Sequence, residues 1–371
     1  MTAPWVDVIV VNYRSAKLVR SALGRLRVQG RWPYGRIWVV DNSDDAGHAQ
    51  ELQTVIRDAG GALGGSAWTA AQAPGSDLSP DLVQLTPGFN AGFGAGCNAA
   101  WAQSQAPFVL LLNPDAQIEC QQLEHLAKLL MSHPQMAAIS PRIWWDRVGG
   151  WLLPPATPQH PWAQFQRGWA SRRDAVAWAS AQARRTTQLS ASHAADAPLW
   201  DVPMLSGAVL LLRRDAVVAS GGLFDESFFM YFEDAELCDR LRGFGWRLGI
   251  AAQVDAVHSW RHEPHKAPLM ASAKGQYRSR QGRLSQWLMR AWPALTDMGE
   301  LGPVAHRLNS SAQAADALGP VCALSPVPGG DPAWVRSGGA WACLNQQDWD
   351  LLAPGHYWAW TQRGWAGFTR H

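Results

Sequence analysis

The most constraining stretch of the chain is Phe108-Val109-Leu110-Leu111-Leu112-Asn113-Pro114-Asp115, an apolar run that stops on an acidic tip. Five consecutive apolar residues ahead of Asn-Pro-Asp read as a strand covered on both faces, with its polar end emerging at a sheet edge. In open α/β sheets ligands sit at the carboxyl ends of the strands. Pro114 fixes its own φ and holds Asn113 extended, so the turn is stiff. Asn113 and Asp115 point the same way in extended geometry. Together they can hold a hard divalent cation, Mg2+ or Mn2+, which in turn can hold a phosphate. The plainer alternative is that Asp115 caps the helix that follows.

Two other strands end in the same manner. Residues 6–11 are apolar except for Asp7 and stop at Asn12-Tyr13, and residues 36–40 stop at Asp41-Asn42-Ser43. Between them Leu18, Val19, Ala22, Leu23 and Leu26 recur at helical spacing behind Ser15, a candidate N-cap. A helix over 51–59, a strand over 82–85, a helix from Asn98, a helix over 123–131 and a strand over 137–140 continue the alternation. The pattern predicts an α/β fold with a doubly wound, mostly parallel sheet flanked by helices. Polar tips at Asn12, Asp41 and Asp115 along one edge have the layout of a nucleotide site. Asp41 can accept the ring N–H of a uracil or thymine and Tyr13 can stack on the base, although Asp41-Asn42-Ser43 reads equally well as a turn.

The run Phe89-Asn90-Ala91-Gly92-Phe93-Gly94-Ala95-Gly96-Cys97-Asn98 lets backbone approach a ligand closely. It has a rival meaning, because Gly94, Gly96 and Ala99 match a G-x-G-x-x-A dinucleotide fingerprint. Pro114 beside the acid and the two upstream strand tips are foreign to that fingerprint. Further along, Phe228, Phe229, Tyr231 and Phe232 precede Glu233 and Asp234 at the start of a helix with Leu237, Leu241 and Phe244 on its apolar face. A helix N-terminus stabilises negative charge, and an ionised carboxylate there can act as a general base toward a hydroxyl. A helix with merely acidic first-turn residues is the plainer alternative. His258, after a short strand over 255–258, is a candidate further metal ligand, with His262 and His265 as competitors.

Composition narrows the classes. A net charge of +2 over 371 residues gives no argument for a nucleic-acid partner. Five scattered cysteines without CxxC spacing argue against a zinc site and a disulfide framework, and fit a reducing compartment. No apolar run approaches the length of a membrane span, and the N-terminus has no signal pattern, so a cytoplasmic protein is expected. The outlier is tryptophan, with 22 copies, many of them within 144–200 and in the last forty residues. Such density can line a sugar-binding surface or a membrane interface, or simply fill a core. Residues 146–200 are Pro- and Trp-rich, with a helix expected over 162–185, and read as an insertion or lid. Residues 264–293 contain no acid, and Lys266, Lys274, Arg278, Arg280, Arg283 and Arg290 lie there with Trp287, Leu288, Met289 and Trp292. That segment can rest peripherally on an anionic membrane, on its inner face, or be a solvated basic helix.

Taken together these residues resemble the family-2 inverting glycosyltransferases with the GT-A fold, above all the bacterial rhamnosyltransferase-like branch that builds cell-surface polysaccharides. The matching pieces are residues 8–13, Val39-Val40-Asp41-Asn42-Ser43, Asn90 to Gly94 with Asn98, Leu111 to Asp115, Ser206-Gly207-Ala208, Phe232-Glu233-Asp234 with Asp239, and His258. They occur in the family's order. The resemblance implies a GT-A domain over 1–265, with 146–200 inserted in it. A basic amphipathic segment over 266–298 and an extension over 299–371 follow. It implies Asp41 at the nucleobase, Asp115 at the metal and Asp234, beside Glu233, as catalytic base. Val11, Asn12, Tyr13, Asn90, Gly92, Phe93, Asn98 and Asn113 would line the donor, a dTDP- or UDP-linked sugar, and Ser206 and Gly207 the acceptor, a glycan or polyprenyl-linked hydroxyl. The chain departs from the family in its Asn-Pro-Asp motif, which offers one carboxylate where Asp-x-Asp offers two, in its longer insertion, and in its tail. A sugar-1-phosphate nucleotidyltransferase would carry a glycine-rich loop with Arg and Lys after the first strand, where this chain reads Asn12-Tyr13-Arg14-Ser15. A non-catalytic glycan-binding or assembly protein on the same scaffold is the alternative from another class.

Overall fold

The computed structural model describes residues 5–27, 32, 34–63, 81–191, 198–259, 266–283, 286–287, 299–330 and 332–371. Leu288, Met289, Arg290 and Trp292 of the basic segment, His262, His265 and most of the Gly- and Pro-rich stretch 60–80 lie outside them. The chain forms two compact units, Met1–Pro141 with Asp196–His258 and Pro268–Gln276, and Arg142–Ala195 with Ser259–Ala267 and Tyr277–His371. These units cut across the linear segmentation, because the Trp-rich stretch and the C-terminal stretch belong to one unit.

The first unit opens with β1 (Val6–Asn12), α1 (Ala16–Leu26), β2 (Ile37–Asp41), α2 (Ala46–Asp58), β3 (Ala62–Leu63), β4 (Leu82–Leu85), α3 (Phe93–Gln103), β5 (Phe108–Leu112), β6 (Ala116–Gln117), α4 (Cys120–Ser132) and β7 (Met136–Trp144). The chain enters the second unit through β8 (Trp151–Leu152), α5 (Pro161–Arg173) and α6 (Ala175–Ala191). It returns with β9 (Leu199–Asp201), β10 (Val209–Arg213), α7 (Arg214–Ala219), α8 (Glu233–Gly243), β11 (Arg247–His258) and most of α9 (Ala267–Ser279). The second unit is completed by β12 (Val304–Leu308), α10 (Ser311–Leu318), β13 (Val321–Ser325), β14 (Trp334–Arg336), α11 (Gln346–Leu351), β15 (Gly355–Thr361) and β16 (Gly364–Arg370).

In the first unit β3, β4, β2, β1 and β5 lie side by side and all parallel. β1, β2 and β5 are buried along their whole length, as apolar runs flanked by crossover helices require. Asp7 interrupts β1 without cost. Its Oδ1 accepts from the Arg36 N–H and its Oδ2 from the Trp38 indole, at 2.8 and 3.0 Å. β10 and β7 continue the sheet beyond β5 antiparallel, so the parallel expectation holds for one half of a mixed sheet. Register sets the site edge, since Asn12 pairs with Asp41, and β5, paired with β1 through Leu111, ends just before Asn113. β11 is one twelve-residue strand where the sequence pattern predicts two short ones, over 248–251 and 255–258. Its last residues pair with β6, His258 opposite Ala116.

In the second unit β15 and β16 form a hairpin, β13 bridges β15 and β14, and β14 pairs with β8. Its core is aromatic: Trp145, Trp151, Trp334, Trp349, Tyr357 and Phe368 are buried, with Trp145 stacked on Trp334 at 3.9 Å. For these tryptophans the core reading is the right one. The Arg336 guanidinium pairs with Asp348 at 2.8 Å, and the Trp151 indole donates to the other Asp348 oxygen at 2.7 Å. The single helix expected over 162–185 is two helices. Asp174 ends α5 and starts α6, its Oδ1 accepting from the Ala177 N–H at 2.8 Å. All five cysteines are free. Among the described residues no helix is long and apolar enough to cross a membrane.

Candidate active site

At the carboxyl edge of β1 and β2, Asn12 is the clamp. Its Nδ2 donates to Asp41 Oδ1 at 3.1 Å and to Ser43 Oγ at 3.2 Å, while its Oδ1 accepts from the Ser15 N–H and hydroxyl. Ser15 stands at the N-cap of α1, as expected, but its hydroxyl donates to Asn12 and makes no side-chain cap bond. Asp41 is fully buried, and its Oδ1 also accepts from the Ser43 N–H. Its Oδ2 is buried with no partner. A buried acceptor of this kind costs about 1–3 kcal/mol unless a donor reaches it, which is what a ligand N–H would do. Tyr13 is exposed, with the Arg14 guanidinium 5.2 Å from its ring centroid.

The glycine run crosses an aromatic segment. Gly92 has φ +86°, and a Cβ there would stand 2.3 Å from the Phe229 carbonyl oxygen. Its carbonyl accepts from Asn42 Nδ2 at 2.7 Å, its N–H donates to Asn90 Oδ1, and the Phe93 N–H donates to the Phe229 carbonyl. Gly94 and Gly96 sit inside α3. A Cβ on Gly94 would face Phe228, and one on Gly96 would meet Val11 and Asn42. These glycines serve helix packing, and the dinucleotide alternative is set aside because that turn places its glycines ahead of the helix. Asn98 exchanges hydrogen bonds with the Phe224 backbone and reaches Glu226. Its amide is committed to that turn, where the resemblance had put it at the donor. Val11 is wall, packed under Gly96.

The aromatic segment delivers the acids. Tyr231 and Phe232 both adopt left-handed backbone, φ 74° and 68°, a costly pair that persists only where surroundings hold it. α8 starts immediately after. Asp234 Oδ2 accepts from the Gly207 N–H at 3.1 Å and Oδ1 from the Ala235 N–H at 2.8 Å. A Cβ on Gly207 would lie 3.6 Å from the Phe93 ring and 3.7 Å from the Asp234 Cβ, so the loop passes close over the acid. Ser206 Oγ accepts from the Ala208 N–H and shapes the same turn. Burial holds the Asp234 carboxyl above its ordinary range, against the two backbone hydrogen bonds. Glu233 is buried, its Oε2 has no partner, and burial with the neighbouring Asp234 charge pushes it up to about 8. Glu236 pairs instead with Arg240, which also donates to the carbonyls of Ser220, Gly222 and Leu223.

The β5 tip completes the row. The Asn113 N–H donates to the Ala208 carbonyl at 2.9 Å, linking it to the Gly207 loop. Asp115 Oδ1 stands 3.3 Å from His258 Nε2, brought there by the β6–β11 register. The cap of α4 is Glu119, so Asp115 caps no helix. Among the described residues no group of three or more His, Cys, Asp or Glu side chains gathers. A carboxylate and an imidazole fit a divalent cation whose remaining positions are filled by ligand oxygens.

No family model matches the chain. It is 29% identical over 225 residues to the N-acetylglucosaminyl-diphospho-decaprenol L-rhamnosyltransferase of Mycobacterium tuberculosis, covering 56% of this chain and 69% of that protein. It is 24% identical over 258 residues to the low-salt glycan biosynthesis hexosyltransferase Agl10 of Haloferax volcanii, covering 68% and 67%. Among solved structures, GalNAc-T7 with UDP, GalNAc and Mn2+ superposes with a TM-score of 0.51 at 9% identity, over 79% of this chain and 51% of that one. The chain is a glycosyltransferase of the GT-A fold.

Within this glycosyltransferase two separate runs of hydrogen bonds tie the site together. They lead from Asn12 through Asp41, Asn42 and Gly92 to the aromatic segment, and from Asp234 through Gly207 and Ala208 to Asn113. Asp115 and His258 stand at the end of that row. Asn42 and Phe229, absent from the candidates drawn from the sequence, turn out to fasten the glycine run. Asn42 was legible as the middle of a polar strand tip. Phe229 stood in the aromatic run ahead of the acids, but no local pattern marked its carbonyl as the acceptor that fastens Phe93.

Proposed function

We propose that this glycosyltransferase moves a sugar, rhamnose being the first choice, from a dTDP- or UDP-linked donor to a hydroxyl of a glycan or polyprenyl-linked acceptor in cell-surface polysaccharide synthesis. The observation that carries this reading is Asp234, fixed at the start of α8 by the Gly207 and Ala235 N–H groups, with burial strengthening its hold on a proton. Asp234 takes the acceptor proton as the hydroxyl oxygen bonds to the anomeric carbon. The bond from that carbon to the diphosphate oxygen breaks on the opposite face, and the configuration inverts. The orphaned Asp41 Oδ2 supports recognition of a base that offers a ring N–H. Asp115 and His258 would hold a divalent cation, Mg2+ or Mn2+, which when bound neutralises charge on the diphosphate. The decaprenol-linked substrate named for the mycobacterial relative supports a lipid-linked acceptor, and with it work at the inner membrane face.

Calorimetric titration with dTDP, UDP and GDP, with and without Mn2+, tests the donor. One nucleotide is expected to bind with metal dependence, and Asp115→Ala is expected to lose that dependence. Binding of GDP alone, or of none, would overturn the proposed donor, and binding of none would favour a glycosyltransferase scaffold that binds glycan without turnover. Asp234→Asn is expected to lower transfer by at least about 100-fold while nucleotide affinity stays within about threefold, because a base adds 10²–10⁴ to the rate and does not touch the nucleotide. Product-formation assays and titration on the same preparation separate the two quantities.

A further inference from the structure

Helix α5 is built inside out. Its covered face is Pro161, Gln164, Gly168 and Ser171. The Gln164 amide donates to the Gln159 carbonyl and accepts from Arg278 at 2.7 Å. Ser171 Oγ accepts from the Gly299 N–H at 3.0 Å. Exposed Trp162 and Trp169, with half-buried Phe165 between them, are spaced by three and four residues and align along one stripe. Trp162 is 51% and Trp169 56% exposed, and Trp162 stacks on Phe165 at 5.5 Å. At the start of α6, Val176 is exposed as well. In a surface helix the apolar stripe ordinarily faces the core. Here polar and small residues anchor the helix and the aromatic residues point away.

The sequence that carries this stripe is strongly basic. Residues 161–191 hold Arg167, Arg172, Arg173, Arg184 and Arg185 against Asp174 alone, an excess of four where the whole chain nets +2. α5 itself has no acid. At thirteen residues it is too short to cross a bilayer, which takes about twenty. Tryptophan beside arginine is the composition of a helix that lies in a lipid interface, with rings at headgroup depth and guanidinium groups on anionic phosphates. We infer that the Trp162–Phe165–Trp169 face of α5 is a docking surface for an anionic phospholipid bilayer. This surface is carried by α5, not by the acid-free segment over 264–293, and it does not depend on the donor proposed above.

The test uses the full chain and vesicles of phosphatidylcholine with or without phosphatidylglycerol. Wild-type protein is expected to co-sediment with the anionic vesicles, less so as salt rises, and its tryptophan emission to be quenched by brominated lipid. Trp162→Ala/Trp169→Ala is expected to weaken vesicle binding by more than about tenfold, since each ring removes a large buried apolar area. Its melting temperature and nucleotide titration should match wild type, because both side chains are exposed and neither is in the site. Absence of wild-type binding, equal binding by the double variant, or a vesicle-free dimer that the double variant abolishes would each overturn the inference. The last outcome would make a second copy of the chain the occupant. A failed nucleotide titration with intact vesicle binding would count against the proposed reaction alone.

Discussion

Glu233 and Asp234 are consecutive and both raised, yet Asp234 is the one held by N–H groups of other residues. Asp234 receives two backbone N–H groups, which favour its charged form; Glu233 has a bare buried oxygen and is pushed up to about 8. The linkage follows from that direction. Below the ordinary 4.5 Glu233 is neutral folded or unfolded, and its burial is tolerated. As pH rises from 4.5 toward 8 the unfolded chain ionises it freely and the folded protein does not, so stability falls across that window. Glu233→Gln is expected to flatten the fall, so that its melting temperature changes less between pH 5 and pH 8 than that of wild type. Thermal unfolding at a series of pH values checks this, and parallel curves for the two proteins would count against it. The acid pair was legible in the sequence as a helix start. That one member keeps its proton was not, because desolvation depends on which residues close over it.

Among the elements, α8 shows how a helix is aimed. Arg240 in its last turn reaches the carbonyls of Ser220, Gly222 and Leu223 while pairing with Glu236, so one side chain ties the helix to the turn after α7. Arg240→Ala leaves those carbonyls and Glu236 without a donor. It is expected to cost about 2–3 kcal/mol, in the range of hydrogen bonds to charged groups. Urea unfolding measures the loss, and a cost below half a kcal/mol would mean water replaces the guanidinium freely. Periodicity located α1, α4 and α8 and the buried strands correctly, because their burial is continuous along the chain. It divided β11 in two and fused α5 with α6. Gln253 and Asp255 interrupt an apolar run without ending its pairing, and one Asp174 changes helix direction without breaking the helical composition.

Taken whole, the protein has a second unit made of segments that lie far apart in the sequence. Trp145 and Trp151 from the Trp-rich stretch share a core with Trp334, Trp349 and Phe368 from the C-terminal stretch, and the Trp151 indole meets the Arg336–Asp348 pair. Asp348→Ala takes the carboxylate from the buried Arg336 charge, which keeps its hydrogen bonds to the Val321 and Cys343 carbonyls, at about 3–5 kcal/mol. It is expected to open both stretches together, and limited proteolysis should then cut within 142–195 and 299–371 at the same protease concentration. Cleavage confined to the C-terminal stretch would show that the two stretches fold separately. Such shared stability is invisible to composition, which marks both stretches only as rich in tryptophan.

Strand and helix order, the polar tips at Asn12, Asp41 and Asp115, and the acids at the head of α8 were readable directly, because each is a local pattern of burial or a residue type at an element's end. Register and long-range packing supplied the rest. They set Asp115 against His258, folded the Gly207 loop onto Asp234 and left Asp41 Oδ2 without a partner. Tryptophan marks the boundary. Trp151 and Trp334 are core while Trp162 and Trp169 are surface. An indole carries the same apolar area everywhere, so its burial is decided by what the fold brings against it.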